Sequence, residues 1–471
     1  MIRAAIAALI SLLPAAVAAE RTPTIQEVLL RAKPAVALVV AEVGGQVTIN
    51  CGTGGPTDVT PTPFRESGTG WFVSANGWVI TNAHVVAPAH RPPQWVPNEL
   101  AQRAVREGCV PALLKRRGLE VGQRPDVDAE VTRQALAAAL PTARVKVEPS
   151  ILVILPNGFR LPATVAKYGA PVTGDGMSGQ DLALLRLEAA DMPALPLGDS
   201  SLAKIGDPLH ILGFPGVVMT HELLSASAKV EASITKGAIS GFKEDRAGKA
   251  VTQTDAPAEG GNSGGPAIDD RGRVVGVLTF VTAQGEGGGT VQGFNFIIPV
   301  QAVREFLTGT DVPLKEPSKF NTAWHAALGD FFGGNYARAA RNFAEANRLL
   351  PELPDVKRME AENAERIKNP PPRAFPWRPV AAGVIGLALV GYGVLWAARR
   401  KRNAFRIKPA AVARMLELSP PPIILDARDD ATYAKSPVRL PTAIHVSETK
   451  LEQGIDDLGL DHARTVVAYC T

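Results

Sequence analysis

Cysteine is scarce: Cys51, Cys109 and Cys470 are the only three in 471 residues, and none forms a CxxC pair. That excludes a cysteine-based zinc ribbon and a disulfide-dense miniprotein. An excess of one charge is lacking too. Fifty Lys and Arg against 46 Asp and Glu leave a net charge of +4, too little to point to nucleic acid as a partner. No residue pattern marks a metal or organic cofactor site, and His90 and His221 stand isolated, as surface residues do. An apolar share of 46% and a charged share of 20% are ordinary globular values, which excludes global disorder and collagen-like repetition. The length fits about three domains at roughly 150 residues each.

Two apolar runs set the expected topology. The first, MIRAAIAALISLLPAAVAAE, carries Arg3 ahead of an apolar stretch and closes on Ala16-Val17-Ala18-Ala19, the layout of a cleavable signal peptide over residues 1–19. The second, residues 379–398, is twenty residues without a charge. As a helix it is about 30 Å long, the thickness of the hydrocarbon core. Trp377, Tyr392 and Trp396 lie near its ends, and Arg399, Arg400, Lys401 and Arg402 follow at once. Basic residues are retained on the cytoplasmic side. The expectation is a single-pass protein of a bacterial inner membrane, with the region before the span exported to the periplasm and residues 405–471 inside. Cys51 and Cys109 then meet oxidising conditions while Cys470 stays reduced; spacing leaves a Cys51–Cys109 disulfide open.

Within residues 20–312, short β-type runs alternate with Gly and Pro: Val36–Val43, Gly70–Asn82, Ser150–Leu155, Leu182–Leu187, Leu209–Phe214, Val274–Val281 and Gly293–Ile298. Such spacing predicts a sandwich or a pair of barrels. Residues 87–143 interrupt the rhythm with two Ala- and Leu-rich helical stretches, read as an insert. Residues 320–367 place Ala327, Gly334, Tyr336, Ala339, Phe343, Ala346 and Pro351 at spacings that resemble one tetratricopeptide repeat. That segment reads equally as an amphipathic hairpin packed on its neighbour. Residues 368–378, Pro-rich, form a stiff linker.

Three motifs carry chemistry: SGTGWFVSANGWVITNAHVV with His84, GQDLALLRL with Asp181, and TDAPAEGGNSGGPAID with Ser263. Each alone is weak. Together they present His, Asp and Ser in that chain order, each at the edge of a β-type run, with the serine in a Gly-rich turn. A serine hydroxyl is a poor nucleophile unless a base takes its proton during attack. His84 is that base, and it returns the proton to the leaving amine. Asp181 holds the imidazole tautomer and stabilises the cation that forms. The oxyanion of the tetrahedral intermediate needs preorganised N–H donors, for which Gly261 and Ser263 are placed.

Over residues 65–310 the chain resembles the HtrA/Deg-type serine proteases, on the stretches SGTGWFV, GWVITNAHVV, DLALLRL, PLGDSSLAKIGDPLHILGFPG, ITKGAISG, QTDAPAEGGNSGGPAID, GRVVGVL and GFNFIIPVQAV. The resemblance implies an all-β, trypsin-like double barrel with the triad in the cleft between its halves. It implies cleavage of misfolded or regulatory exported polypeptides, and it leaves a homo-oligomer open. The chain departs from the family in its long gap between His84 and Asp181, in lacking a PDZ-like segment after residue 310, and in a span that follows the protease. Pro257 stands six residues before Ser263, where an acid would select Arg or Lys; a small or medium aliphatic residue is expected before the scissile bond. The Gly-rich run 283–293 is expected to be a mobile loop near that pocket. Residues 405–471 alternate helix and strand, and IILDARDDATYA, AIHV and VVAYC resemble the first part of a rhodanese-like domain. That resemblance makes Cys470 the candidate thiol and implies a partial domain without its active-site loop, with Asp426 and Arg428 structural. Two alternatives to an exported peptidase are a holdase that binds without turnover and a sensor working through Cys470.

Overall fold

The computed structural model describes residues 21–471 except 53, 172–179, 246–247, 284–289, 373–374, 376, 454–457, 462 and 471. The expected signal peptide and most of the Gly-rich run 283–293 therefore lie outside the described residues. The chain divides into two compact units, residues 1–371 and 372–471.

In the first unit, helix α1 (Ile25–Ala32) precedes β1 (Val36–Ile49), β2 (Thr57–Val59), β3 (Phe64–Ser74) and β4 (Trp78–Thr81). Helix α2 (Ala83–His90) then opens the insert, which continues through α3 (Val96–Ala104), a π-turn at Val105–Cys109, α4 (Val110–Arg116) and α5 (Pro125–Ala139). Strands β5 (Arg144–Ile154), β6 (Arg160–Tyr168) and β7 (Ala183–Leu187) complete the first barrel. Its order is β1-β3-β4-β7-β6-β5, with β5 pairing back onto β1 and β2 added at the edge of β1. The β-branched run VALVV makes β1 long enough to serve both neighbours. Alternate residues Val39, Ala41, Val43, Val47 and Ile49 point into the core.

The second barrel is built from β8 (Pro208–Gly213), β9 (Ser233–Glu244), β10 (Ala250–Thr254), β11 (Pro266–Ile268), β12 (Val274–Ala283) and β13 (Thr290–Pro299). It closes in the order β10-β13-β12-β11-β8-β9, with β9 pairing onto β10. The double-barrel expectation is met. Helix α6 (Val300–Leu307) contributes Val300, Val303 and Phe306 to a core cluster shared with Trp71 and Ile80 of the first barrel and Phe214 and Val277 of the second.

Within the insert, α3 runs through the π-turn into α4, and α5 follows. Leu100, Ala104, Cys109 and Leu114 pack into the first-barrel core. Cys51 and Cys109 are joined in a disulfide, their Cα atoms 5.2 Å apart, which ties the insert to the end of the β1–β2 hairpin. After the barrels, α7 (Lys319–Phe332), α8 (Tyr336–Leu349) and α9 (Pro354–Lys368) form a helical hairpin with a third helix. Phe320, Trp324 and Phe331 meet Phe343 and Ala346 in the same core cluster as the first barrel, and the Trp324 indole N–H donates to the Leu30 carbonyl at 2.8 Å. The apolar face is thus buried against the first barrel and α1.

In the second unit, α10 (Trp377–Arg402) contains the stretch Pro379–Arg402, long and apolar enough to cross a membrane by length and composition. Beyond it, β14 (Ile423–Asp426), β15 (Ile444–His445) and β16 (Val466–Tyr469) form a parallel sheet in the order β15-β14-β16. The expected α/β character of the tail is present.

Candidate active site

Strand β4 ends at Thr81, and Asn82 caps α2, so His84 sits in the first turn of a helix rather than at the strand edge that the sequence implied. Asp181 lies two residues before the fully buried start of β7, in the left-handed backbone region at φ 46°. Its backbone is clamped on both sides: its N–H donates to the Ala170 carbonyl at 3.1 Å, and its carbonyl accepts the Asn82 side-chain amide at 2.8 Å. Two distant stretches are thereby held in register.

The Asp181 carboxylate is 3% exposed. Oδ1 accepts the His84 backbone N–H at 3.0 Å, and Oδ2 lies 2.8 Å from His84 Nδ1 and 2.6 Å from the Thr279 hydroxyl, which donates to it. Since an ionised carboxylate only accepts, Nδ1 carries the ring proton and Nε2 is left as the free base. Burial disfavours the imidazolium, but the hydrogen bond to Asp181, its charge and the charge of Glu66 outweigh it, so the His84 pKa is raised above its usual value.

Ser263 lies in the turn that leads into β11. Its hydroxyl donates to the Thr279 carbonyl at 3.3 Å, not to His84. Thr279 therefore touches two of the three expected residues, holding the acid through its side chain and the alcohol through its backbone. The turn is fixed by two glycines: at φ 95° a Cβ on Gly261 would lie 2.3 Å from the Phe214 carbonyl oxygen, and at φ 87° one on Gly264 would lie 2.2 Å from that of Thr69. No other residue fits either place. Thr69 closes the turn from the first barrel, its N–H donating to the Ser263 carbonyl at 2.8 Å and its hydroxyl to that of Gly261 at 2.7 Å. The Gly261 and Ser263 N–H groups donate to no protein acceptor among the described residues.

Thr279, Asn82 and Thr69 were not singled out from the sequence. Thr279 stood inside the run VVGVLTFV, read only as a strand; its signal is a hydroxyl at an inward position of an otherwise apolar β-run. On the approach to Ser263, Ala256 and Ala258 are buried while Asp255 and Pro257 are exposed, so no carboxylate is buried in that segment. Cys470 is a free, exposed thiol after β16 in the second unit, with no base assembled on it among the described residues. On β14, which pairs with β16, Asp426 is fully buried and paired with Arg428, whose Nε donates at 2.8 Å, and it accepts the Tyr469 hydroxyl at 2.5 Å. The Arg428 hydrogen bond, with help from Tyr469, holds the Asp426 carboxyl well below the usual carboxylate range. Among the described residues no group of three or more His, Cys, Asp or Glu could hold a metal ion.

Residues 68–277 match the trypsin-like peptidase domain family. A probable periplasmic serine endoprotease DegP-like protein of Chlamydia pneumoniae is 33% identical over 150 residues, 32% of this chain and 27% of the relative. The serine endoprotease DegS of Haemophilus influenzae is 28% identical over 162 residues, 33% of this chain and 42% of the relative. The aligned part thus spans less than half the length of either. Among solved structures, an HtrA-type protease AlgW with a decapeptide is 21% identical, covering 61% of this chain and 67% of its own, at a TM-score of 0.36. The sequence matches support a serine endopeptidase: residues 68–277 match a trypsin-like peptidase domain and are similar in sequence to the DegP-like and DegS endoproteases.

Proposed function

We propose that the chain is a membrane-anchored, exported serine endopeptidase that cleaves misfolded or regulatory exported polypeptides through an acyl-enzyme, with His84, Asp181 and Ser263 as its triad. The observation that carries this reading is the linkage Ser263–Thr279–Asp181–His84, in which one threonine joins the alcohol to the acid and the acid contacts the base directly.

Turnover begins when the Ser263 hydroxyl leaves the Thr279 carbonyl and turns to His84 Nε2. Its oxygen attacks the scissile carbonyl while the imidazole takes the proton. The oxyanion is stabilised by the Gly261 and Ser263 N–H groups, free to receive it and worth about 10²–10³ in rate per donor. His84 then protonates the leaving amine, and water repeats the sequence to release the acid. Asp181 holds the imidazole orientation throughout, accepting from the His84 backbone N–H and the Thr279 hydroxyl. With Ala256 and Ala258 buried and no carboxylate buried among residues 255–260, a small or medium aliphatic side chain fits before the scissile bond. Helix α10 anchors this catalytic unit to the membrane from which Arg399–Arg402 extend on the cytoplasmic side.

The test is reaction of the full chain with a fluorophosphonate. The expected outcome is one adduct, mapped by mass spectrometry to Ser263 and absent in Ser263→Ala, with loss of casein cleavage in that variant. Casein cleavage that survives Ser263→Ala would contradict the assignment.

A further inference from the structure

Four charged side chains far apart in sequence meet in one knot. Lys33, in the short turn after α1, contacts Glu231 and lies 3.3 Å from Asp355. Arg358, one turn along α9 from Asp355, reaches Glu231 at 2.9 Å and Asp355 at 3.2 Å. Each anion thus contacts both cations. Lys33 and Asp355 are the inner members, at 12% and 6% side-chain exposure, and Arg358 the outer one, at 57%. Burial alone would raise the Glu231 carboxyl, yet the hydrogen bonds from Lys33 and Arg358 hold it below its usual value. Desolvating Lys33 and Asp355 is costly, and such ion-pair clusters can fix a particular geometry.

What it fixes is the neck of one loop. Residues 214–232 join β8 to β9, and the loop closes on itself because Gly213 pairs with Ser233. Glu231 stands two residues from that pair, flanked by Val230 and Ala232, which pack with Phe214 and Met219 in the core between the barrels. The other side of the same neck is the wall of the Ser263 turn. The Gly216 N–H donates to the Gly260 carbonyl at 2.7 Å, and the Phe214 carbonyl occupies the space beside Gly261 that a Cβ would need. At Gly213 a Cβ would lie 2.6 Å from Asn262 Oδ1. From Glu231 to the Gly261 amide there is therefore one strand pair and one layer of close-packed backbone.

We infer that the Lys33–Glu231–Asp355–Arg358 knot is a positioning cluster for the oxyanion-binding turn, so that helix α9 of the C-terminal hairpin is part of the frame of the active site. The inference rests on the peptidase reading above. It assigns the hairpin a task in turnover: by gripping Glu231, α9 sets where Phe214 and Gly216 stand, and these set the direction of the Gly261 N–H. Donors that bind the oxyanion act on the transition state far more than on the bound substrate, so a turn displaced by a fraction of an ångström lowers kcat and leaves KM in place.

The experiment measures kcat and KM for dye-labelled casein with the full chain in detergent micelles, for wild type, Asp355→Asn, Lys33→Ala, Arg358→Gln and Arg358→Lys. The expected result is a fall in kcat of at least fivefold in the first three variants, with KM within twofold of wild type, and near-complete retention in Arg358→Lys, which keeps the charge. Arg358 is more than half exposed, so Arg358→Gln reports on positioning even if the inner substitutions unfold the chain; its thermal midpoint is measured alongside. A kcat for folded Arg358→Gln within twofold of wild type would overturn the inference while leaving the peptidase reading intact. Absence of casein cleavage by the wild-type chain would overturn both.

Discussion

Two buried aspartates, one in each unit, show how different partners give the same side chain different uses. Asp426 faces the guanidinium of Arg428 and the hydroxyl of Tyr469. Its charge is met by a permanent cation, so nothing remains to act on a third group. Asp181 is as buried, yet its partners are a backbone N–H, a threonine hydroxyl and an imidazole. None of these is a fixed positive charge. The carboxylate is held by dipoles, and in the proposed mechanism a cation appears beside it only when His84 takes a proton. A carboxylate paired with arginine holds a structure together; one held by dipoles beside a histidine is poised for a charge that comes and goes.

The largest expected effect comes from making both aspartates neutral. Asp181→Asn should keep the fold yet lower kcat on casein by about 10⁴, since an amide no longer enforces the Nδ1–H tautomer or stabilises imidazolium. Asp426→Asn should leave kcat within twofold and instead lower the thermal midpoint of the second unit, read by circular dichroism. If both substitutions lowered kcat alike, the contrast would fail. A smaller effect is expected for Thr279→Val, which removes the hydroxyl that donates to Asp181 at 2.6 Å while keeping the shape. Hydrogen bonds to charged groups contribute about 1.5–3 kcal/mol, which corresponds to roughly 10–100-fold in kcat/KM. A change under twofold would mean that Thr279 does not orient the acid.

The three residues of the proposed triad could be singled out in the sequence because each stands in its own local context: TNAHVV after an apolar strand, DLALLRL before one, and a serine among glycines. The two barrels were legible from spaced β-runs, but not all their strands. SITKGAISGFKE, the whole of β9, has its burial spread over a mostly half-exposed pattern and two glycines, and offers little period-2 contrast. The helix bearing His84 was hidden because AHVVAPAH is an apolar run with Pro88 inside it. The ionic knot was hidden for a deeper reason. Lys33 meets Glu231 and Asp355 across 198 and 322 residues of chain, and no local pattern encodes a contact that only closure of the barrels and docking of the hairpin create.

The most direct test of the account is the pH dependence of fluorophosphonate labelling at Ser263. Protonated His84 cannot accept the serine proton, so the rate should fall on the acid side with a midpoint at the His84 pKa. Asp181 and Glu66 raise that pKa, so the midpoint should lie above the usual imidazole value of about 6.5, and Glu66→Gln should move it down. A labelling rate flat from pH 5 to 9 (~5–9, spanning the imidazole range), or a midpoint below that of free imidazole, would contradict a catalytic His84 charged against Asp181.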